Sequence, residues 1–336
     1  MIPNPAIALG VFFGLIALVY LIYTLVSIPR ILNSRKEREK VILEDILKQL
    51  YHAENSGRKA GINDLAGAIK LKPDRIVQLI ESATQQGFIV SREGALTLTD
   101  TGNSYALKII RTHRLWEKYL SEKTGVQKLD WHPSAEVMEH KLSEEQVASI
   151  DSELGNPRFD PHGDPIPTEK GEMRQENWIP MSSLDAGSIA KVVHIEDEPV
   201  VIYKQIIDKK VHIDSQIKIL SSDDQEVSFY SEGNSYSFST LVAGNISVME
   251  LQKDLYDPNA HRLSELVTGE KGTILGISSE CRGASRRRLL DLGFIRGTEI
   301  SPEFDSPMLN PRAYMIRNTL IALRKSQAEH ILIEKT

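Results

Sequence analysis

Asn63 to Leu98 read NDLAGAIKLKPDRIVQLIESATQQGFIVSREGALTL. The spacing predicts a short helix over Asn63–Ile69, a turn over Lys70–Asp74 and a second helix over Arg75–Gln86. Pro73 suits a first helical turn, and the second helix would bury Ile76, Leu79, Ile80 and Ala83. Gly87 stops it, and Phe88–Leu98 reads as strand, glycine-containing turn, strand. Upstream, Ile42, Leu43, Ile46, Leu47 and Leu50 have helical spacing over Val41–Tyr51. Helix, helix, turn, helix and hairpin is the order of a winged helix-turn-helix. In that arrangement the N-terminal residues of the last helix meet the major groove, here Lys70, Lys72, Arg75 and Gln78, with Arg92 on the wing tip. Lys and Arg suit phosphates or guanine edges, and Gln suits adenine. The bland alternative is a solvated cationic face, or a protein-binding module with Glu81 on the same helix.

Outward from this core the charge is uneven. The 336 residues have a net charge of −6, but residues 30–130 hold 18 Lys/Arg against 13 Asp/Glu, and residues 131–336 hold 22 against 33. The basic surplus surrounds the helix-turn-helix, where phosphate would be met. Met1–Pro29 carry no charge, and Ala6–Ser27 form a run of twenty-odd mostly apolar residues, enough to span a bilayer as a helix over residues 5–28. A signal peptide would need a basic start and a small-residue cleavage site, neither of which is visible. A buried core helix would need a polar face. Arg30, Arg35, Lys36, Arg38 and Lys40 follow the run, so the positive-inside rule places the rest of a single-pass chain on the cytoplasmic side of the cytoplasmic membrane. At 41% hydrophobic and 26% charged, the composition is that of folded domains rather than a polytopic membrane protein or a disordered chain. A single cysteine, Cys281, excludes an intrachain disulfide framework and a Cys-rich metal site.

His113 and Glu117 stand at i and i+4, on one helix face. After a break at Gly125, Pro133 opens a second helix on which Glu136, Glu139 and His140 share a face, with His132 just before it. Three imidazoles and three carboxylates without a thiol suit Mn, Fe, Co, Ni or Zn ions better than soft ones. One His-x-x-x-Glu pair is commonplace on a solvated helix, but a salt-bridge face would leave His132 without a reason.

His113-Arg-Leu-x-x-Glu117, His132-x-x-x-Glu136-x-x-Glu139-His140 and Pro161-His-Gly-Asp-Pro-Ile-Pro167 resemble the diphtheria toxin repressor family of iron- and manganese-dependent regulators, over residues 40–250. The resemblance implies a winged helix (residues 38–103), a helical metal-binding and dimerisation domain (104–170) and an SH3-like domain (182–252). It also implies a homodimer that binds a palindromic operator in double-stranded DNA when metal is bound. It implies an ancillary metal site of His113, Glu117 and His132 and a primary site of Glu136, Glu139 and His140. Glu136 is Cys in some iron-type members and Glu in manganese-type ones, which favours Fe2+ or Mn2+ without choosing. The family's further ligand from the first helix aligns with Val41, which cannot coordinate; Glu44, one turn on, is the substitute.

From Leu184 short strands dominate: Ala190–Ile195, Val200–Ile207, Gln216–Leu220, Glu226–Tyr230 and Ser235–Ser239, a small barrel pattern. In the resembling SH3-like domain two polar side chains reach the ancillary metal; a gapless match puts His194 and Asp197 there. Residues 262–336 resemble a FeoA domain through Gly269–Ile274, Arg287–Thr298 and Ile321–Ile331. Leu184-x-x-Gly187 and Ala243-x-x-Ile246 parallel Leu266-x-x-Gly269 and Ala328-x-x-Ile331, a sign that the two β domains are distant repeats. Arg286, Arg287 and Arg288 could meet an acidic partner, or be a solvated face.

The expected protein is a multidomain α+β, membrane-anchored, Fe2+- or Mn2+-dependent DNA-binding regulator of metal homeostasis. The alternative is a membrane-bound FeoA-type accessory of ferrous iron transport, its FeoA domain engaging the transporter and its helical domain sensing metal. A metallohydrolase finds no nucleophile motif and no Gly-rich phosphate loop in support.

Overall fold

The computed structural model describes residues 35–92, 95–252, 260–278, 280–306 and 310–336. The expected membrane helix, residues 5–28, lies outside them. No helix among the described residues is long and apolar enough to cross a membrane. The chain divides into two compact units, Met1–Ile110 and Arg111–Thr336.

In the first unit a helix occupies residues 35–55 (α1), followed by α2 (Ile62–Ile69), α3 (Pro73–Gln85) and an antiparallel hairpin, β1 (Ile89–Arg92) with β2 (Ala95–Leu98). Ile46, Leu47 and Leu50 of α1 pack with Leu65 of α2 and with Ile76, Leu79, Ile80 and Ala83 of α3. Each Leu or Ile so buried contributes roughly 1.5–3 kcal/mol of transfer free energy. Between α2 and α3, Lys70 takes the left-handed conformation (φ 58°) as C-cap, and Pro73 pre-sets the first turn of α3. α1 is longer than its apolar stripe, because Arg35–Glu39 and Lys40–Glu44 ion pairs at i,i+4 carry the helix beyond the core.

The second unit begins within α4 (Asp100–Lys123) and continues through α5 (Trp131–Met138) and α6 (Glu144–Glu153). The expected helix start at Pro133 is two residues late. A 3-10 turn over Lys128–Asp130 leads into α5, so His132 lies inside the helix, and α5 ends before Glu139 and His140.

Two six-stranded antiparallel sheets complete the unit. The first contains β3 (Ile179–Pro180), β4 (Ile189–Ile195), β5 (Gln216–Ser222), β6 (Glu226–Ser231), β7 (Asn234–Ser239) and β8 (Ile246–Glu250), in the order β3-β8-β4-β5-β6-β7. The second contains β9 (Ala260–Arg262), β10 (Gly272–Ile277), β11 (Glu299–Asp305), β12 (Arg312–Ile316), β13 (Thr319–Leu323) and β14 (Ile331–Lys335), in the order β13-β12-β11-β10-β14-β9. Counted from its own first strand, each sheet runs 1-6-2-3-4-5. The second and sixth strands carry a register shift at matching places, between Val192 and His194 and between Ile274 and Gly276. Helices α7 (Val200–Asp208) and α9 (Gly283–Asp291) follow the second strands, and α8 (Thr240–Ala243) and α10 (Lys325–Ala328) precede the sixth. The paired Leu-x-x-Gly and Ala-x-x-Ile motifs therefore mark equivalent turns of a repeated fold.

Val200–Ile207, expected as a strand, is helix α7. Its β-branched run imitates a strand, but Pro199 caps it. Burial falls on Tyr203 and Ile206, three residues apart, while Val200 and Val201 stay exposed.

Candidate metal centre

His113 and Glu117 lie on the buried face of α4, with His113 Nε2 3.3 Å from Glu117 Oε1. α5 brings His132, whose Nδ1 stands 3.6 Å from Glu117 Oε1 and 3.0 Å from Asp197 Oδ2. Asp197 arrives on the loop after β4, and the Pro161–Pro167 loop adds His162, whose Nε2 lies 3.8 Å from both Glu117 Oε1 and Asp197 Oδ2. Two candidate ligand sets result, His113/Glu117/His132 and Glu117/His162/Asp197, each with ligand atoms within 4.8 Å of one another. Glu117 belongs to both.

The loop holding His162 is fixed to α4. Arg114 donates to Pro165 O (2.6 Å) and pairs with Asp164 (2.9 Å), and Arg111 donates to Pro167 O (2.6 Å). Gly163 (φ +99°) lies so close to β4 that a Cβ would stand 2.1 Å from Val193 O. Only glycine permits both that conformation and that approach.

Two buried atoms in this cluster, Glu117 Oε1 and His162 Nε2, have no hydrogen-bond partner. A buried polar atom without a partner costs about 1–3 kcal/mol. An acceptor oxygen and an imidazole nitrogen buried 3.8 Å apart are what a divalent cation satisfies, so the residues present fit a metal ion. Electrostatics favour the ligating forms of Glu117 and His162, while His132 holds a proton that a metal would displace. Burial alone would raise the pKa of Glu117, but the imidazoles of His113 and His132 beside it hold it far below the usual carboxylate range. Burial alone would lower His132, but Asp197, Glu117 and Glu136 push it up to about 12. Burial pushes His162 down, which keeps it in the neutral, ligating form.

The other expected ligands belong to neither of these two sets. Glu139 is buried and bonded to His113 Nδ1, joining the two expected sites, and its Oε1 is 3.6 Å from His140 Nε2. The side chain of Glu136 is 57% exposed and faces His132 at 3.6 Å. His194 lies on β4 with Asp164 (3.3 Å) and Ser247 (3.3 Å), stacked against Trp178, rather than in either of these two sets. Glu44, in the first unit, accepts from the Tyr105 hydroxyl (2.5 Å) and pairs with Lys40 (3.4 Å). Residue spacing gives no sign that His162 joins this cluster, although it lies in the Pro161-His-Gly163 motif.

On the first unit, Lys70, Lys72 and Gln78 are exposed around the start of α3. Arg75 is not free: it pairs with Glu39 of α1 (2.6 Å) and donates to Gln78 (2.8 Å). Arg92 ends β1.

Residues 99–168 match the family described as iron dependent repressor, metal binding and dimerisation domain, and residues 261–335 match the FeoA domain. The chain thus combines domains of the diphtheria toxin repressor and IdeR kind, whose members depend on iron or manganese, with a C-terminal FeoA domain. Among particular relatives, it is 28% identical over 158 residues to the iron-dependent repressor IdeR of Mycobacterium tuberculosis, covering 45% of this chain and 69% of that one. It is 39% identical over 83 residues to a probable metal transport system membrane protein of Chlamydia trachomatis, covering 25% of this chain and only 18% of that protein. A solved manganese-dependent transcriptional repressor in complex with manganese superposes with a TM-score of 0.57 at 29% identity, over 62% of this chain and 100% of its own. None of these names denotes an enzyme.

Proposed function

We propose that this chain is a metal-dependent, DNA-binding transcriptional regulator responding to Fe2+ or Mn2+, held at the cytoplasmic membrane by residues 5–28. The supporting observation is the buried cluster in which Glu117 Oε1 and His162 Nε2 lack partners while carboxylates and imidazoles converge on them. When bound, a divalent ion supplies the positive charge that this oxygen- and nitrogen-rich set lacks.

The chain's own residues do the rest. His113, Glu117 and His132 form one position, and Glu117, His162 and Asp197 a second that shares Glu117. Glu139, bonded to His113, and His140 form the other end of the cluster, and Glu136 faces His132. Because these groups come from α4, α5, the Pro161–Pro167 loop and the β4–α7 loop, drawing them together selects one arrangement of those elements. DNA affinity then depends on metal through the difference in affinity between arrangements. The winged helix of the first unit presents Lys70, Lys72, Arg75 and Gln78 to DNA, with Arg92 on the wing. A homodimer would set a palindromic operator.

The test is operator selection from genomic DNA with the full chain, with and without Mn2+ or Fe2+. Metal-dependent enrichment of a palindrome, lost in Glu117→Ala and His140→Ala, is expected; enrichment indifferent to metal and to both variants rejects the mechanism. A second reading is favoured by the FeoA domain and by the similarity to a metal transport membrane protein. In that reading the chain is a membrane-bound accessory of ferrous iron transport. Co-purification with a transporter and no DNA enrichment would select it.

A further inference from the structure

The repeated fold gives the two sheets equivalent loops after their second strands. In the first sheet this loop delivers Asp197 to His132. In the FeoA sheet the equivalent loop reaches the same helical region. Glu280 Oε1 lies 3.9 Å from Lys128 Nζ, and the Arg282 guanidinium lies over the Trp131 ring, 5.9 Å from its centroid. A Cβ on Gly283 (φ +56°) would sit 3.1 Å from Glu122 O, so the start of α9 abuts the end of α4.

Trp131 is the link to the ligands. It precedes His132 in α5, and its ring meets His162 edge-on at 5.8 Å, while Tyr203 meets His162 at 5.3 Å. Lys128, Trp131, His162, Tyr203, His212 and Arg282 line one small pocket. The loop itself is held from both sides. Ser278 Oγ is 2.7 Å from His212 Nε2 of the first β domain, and Arg286 donates to the carbonyls of Ile277 (3.0 Å) and Ser278 (3.1 Å).

We propose that Arg282 is a positioning residue for the metal centre: it holds Trp131 against His162, making the FeoA domain a wall of the site. This rests on the reading of His162 as a ligand. A cation over an indole face is a directional contact, strongest where water is excluded, and it fixes the ring that His162 leans on. By linkage, metal at the Glu117/His162/Asp197 position tightens the FeoA domain onto the helical domain, and displacing the FeoA loop weakens metal to the same degree.

The experiment titrates the full chain, in detergent, with Mn2+, following free Mn2+ by electron paramagnetic resonance, for wild type, Arg282→Met and Arg282→Lys. Loss of an outer partner of a metal ligand typically costs about 10–100-fold in affinity. Arg282→Met should therefore weaken one class of site by about tenfold or more and leave the class containing Glu139 and His140 unchanged, and Arg282→Lys should recover most of the loss, because an ammonium also sits over an indole. Mn2+ should also slow hydrogen exchange of residues 283–292 in wild type but not in Arg282→Met. Should Arg282→Met fail to fold, Trp131→Phe, which keeps an aromatic ring but weakens the cation contact, should show a smaller loss at the same class. Equal affinities in wild type and Arg282→Met, or Arg282→Lys as weak as Arg282→Met, overturn the proposal while the metal reading stands. Wild type that binds no Mn2+ overturns both.

Discussion

Glu117 meets three imidazoles, those of His113, His132 and His162. Replacing it by Gln keeps its volume and removes the charge both ligand sets share. Glu117→Gln is expected to lower Mn2+ affinity by more than the roughly 100-fold upper figure for an outer partner, and equilibrium dialysis would show it; near-wild-type binding would remove Glu117 from the ligand set. His132 makes the pH dependence predictable. Its acceptors push it up to about 12 against the push of burial, so the metal-free fold holds it as an imidazolium. Below about pH 6.5 the unfolded chain holds that proton too, and the stabilisation is complete; as pH rises from there toward 12 only the folded chain keeps it, and the contribution declines. Metal binding has the opposite sign, because a ligating imidazole must be neutral. Between pH 6.5 and 9, Mn2+ affinity should climb by up to about tenfold per unit for each proton released, with at least one proton appearing in calorimetry across buffers of different ionisation enthalpy. Binding without proton release would take His132 out of the site.

Among the elements, α1 and α3 carry a further prediction. Glu39 holds Arg75 at 2.6 Å, and both side chains are about one-third exposed. An exposed pair of this kind contributes about 0–1 kcal/mol. Glu39→Gln should therefore raise affinity for duplex DNA by at most about fivefold and steepen its salt dependence by one contact, as the released guanidinium reaches a phosphate. An unchanged or lower affinity in a filter-binding assay would show that Arg75 plays no part in the contact. The same scale shows what the sequence made legible. Helical spacing and turn residues located α2, α3 and the hairpin because Pro73 and Gly87 act locally. His113 and Glu117 were paired by helix periodicity alone. What helix spacing could not give depended on distant chain: His162 reaches Glu117 across 45 residues, and Asp197, expected there only through the family resemblance, across 80, on loops whose aim is set by the sheets. Gly163 is the sharpest case, since its close approach to Val193 O exists only once β4 is formed. Gly163→Ala should cost several kcal/mol by thermal unfolding, combining a strained φ with a clash, and displace His162 as well. α7 was misread for the converse reason, its Val and Ile residues fitting a strand until Pro199 and tertiary burial select a helix.

For the whole molecule the charge division bears on how metal and DNA affinity are linked. The segment from residue 131 onward has eleven more acidic than basic residues, and the segment from 30 to 130 has five more basic. Metal could therefore favour DNA in two ways: by neutralising acidic charge, or by selecting one arrangement of the chain. Salt separates them. Long-range repulsion is screened over about 8 Å at physiological ionic strength and about 3 Å at 1 M, so a purely electrostatic gain from Mn2+ should vanish as salt rises. A gain from geometry should persist in part, because seating the recognition helix adds base contacts that salt does not screen; the phosphate contacts added with them each steepen the fall of log K with log salt by about 0.9. The arrangement of the site favours geometry: His113, Glu117 and His162 are buried, and the ligands are drawn from four separate elements. The expected outcome is a metal-bound chain with a steeper salt slope than the metal-free chain, still binding its operator more tightly with Mn2+ at 0.3 M salt, about twice physiological. Affinities with and without Mn2+ that converge by that concentration would assign the effect of metal to charge alone.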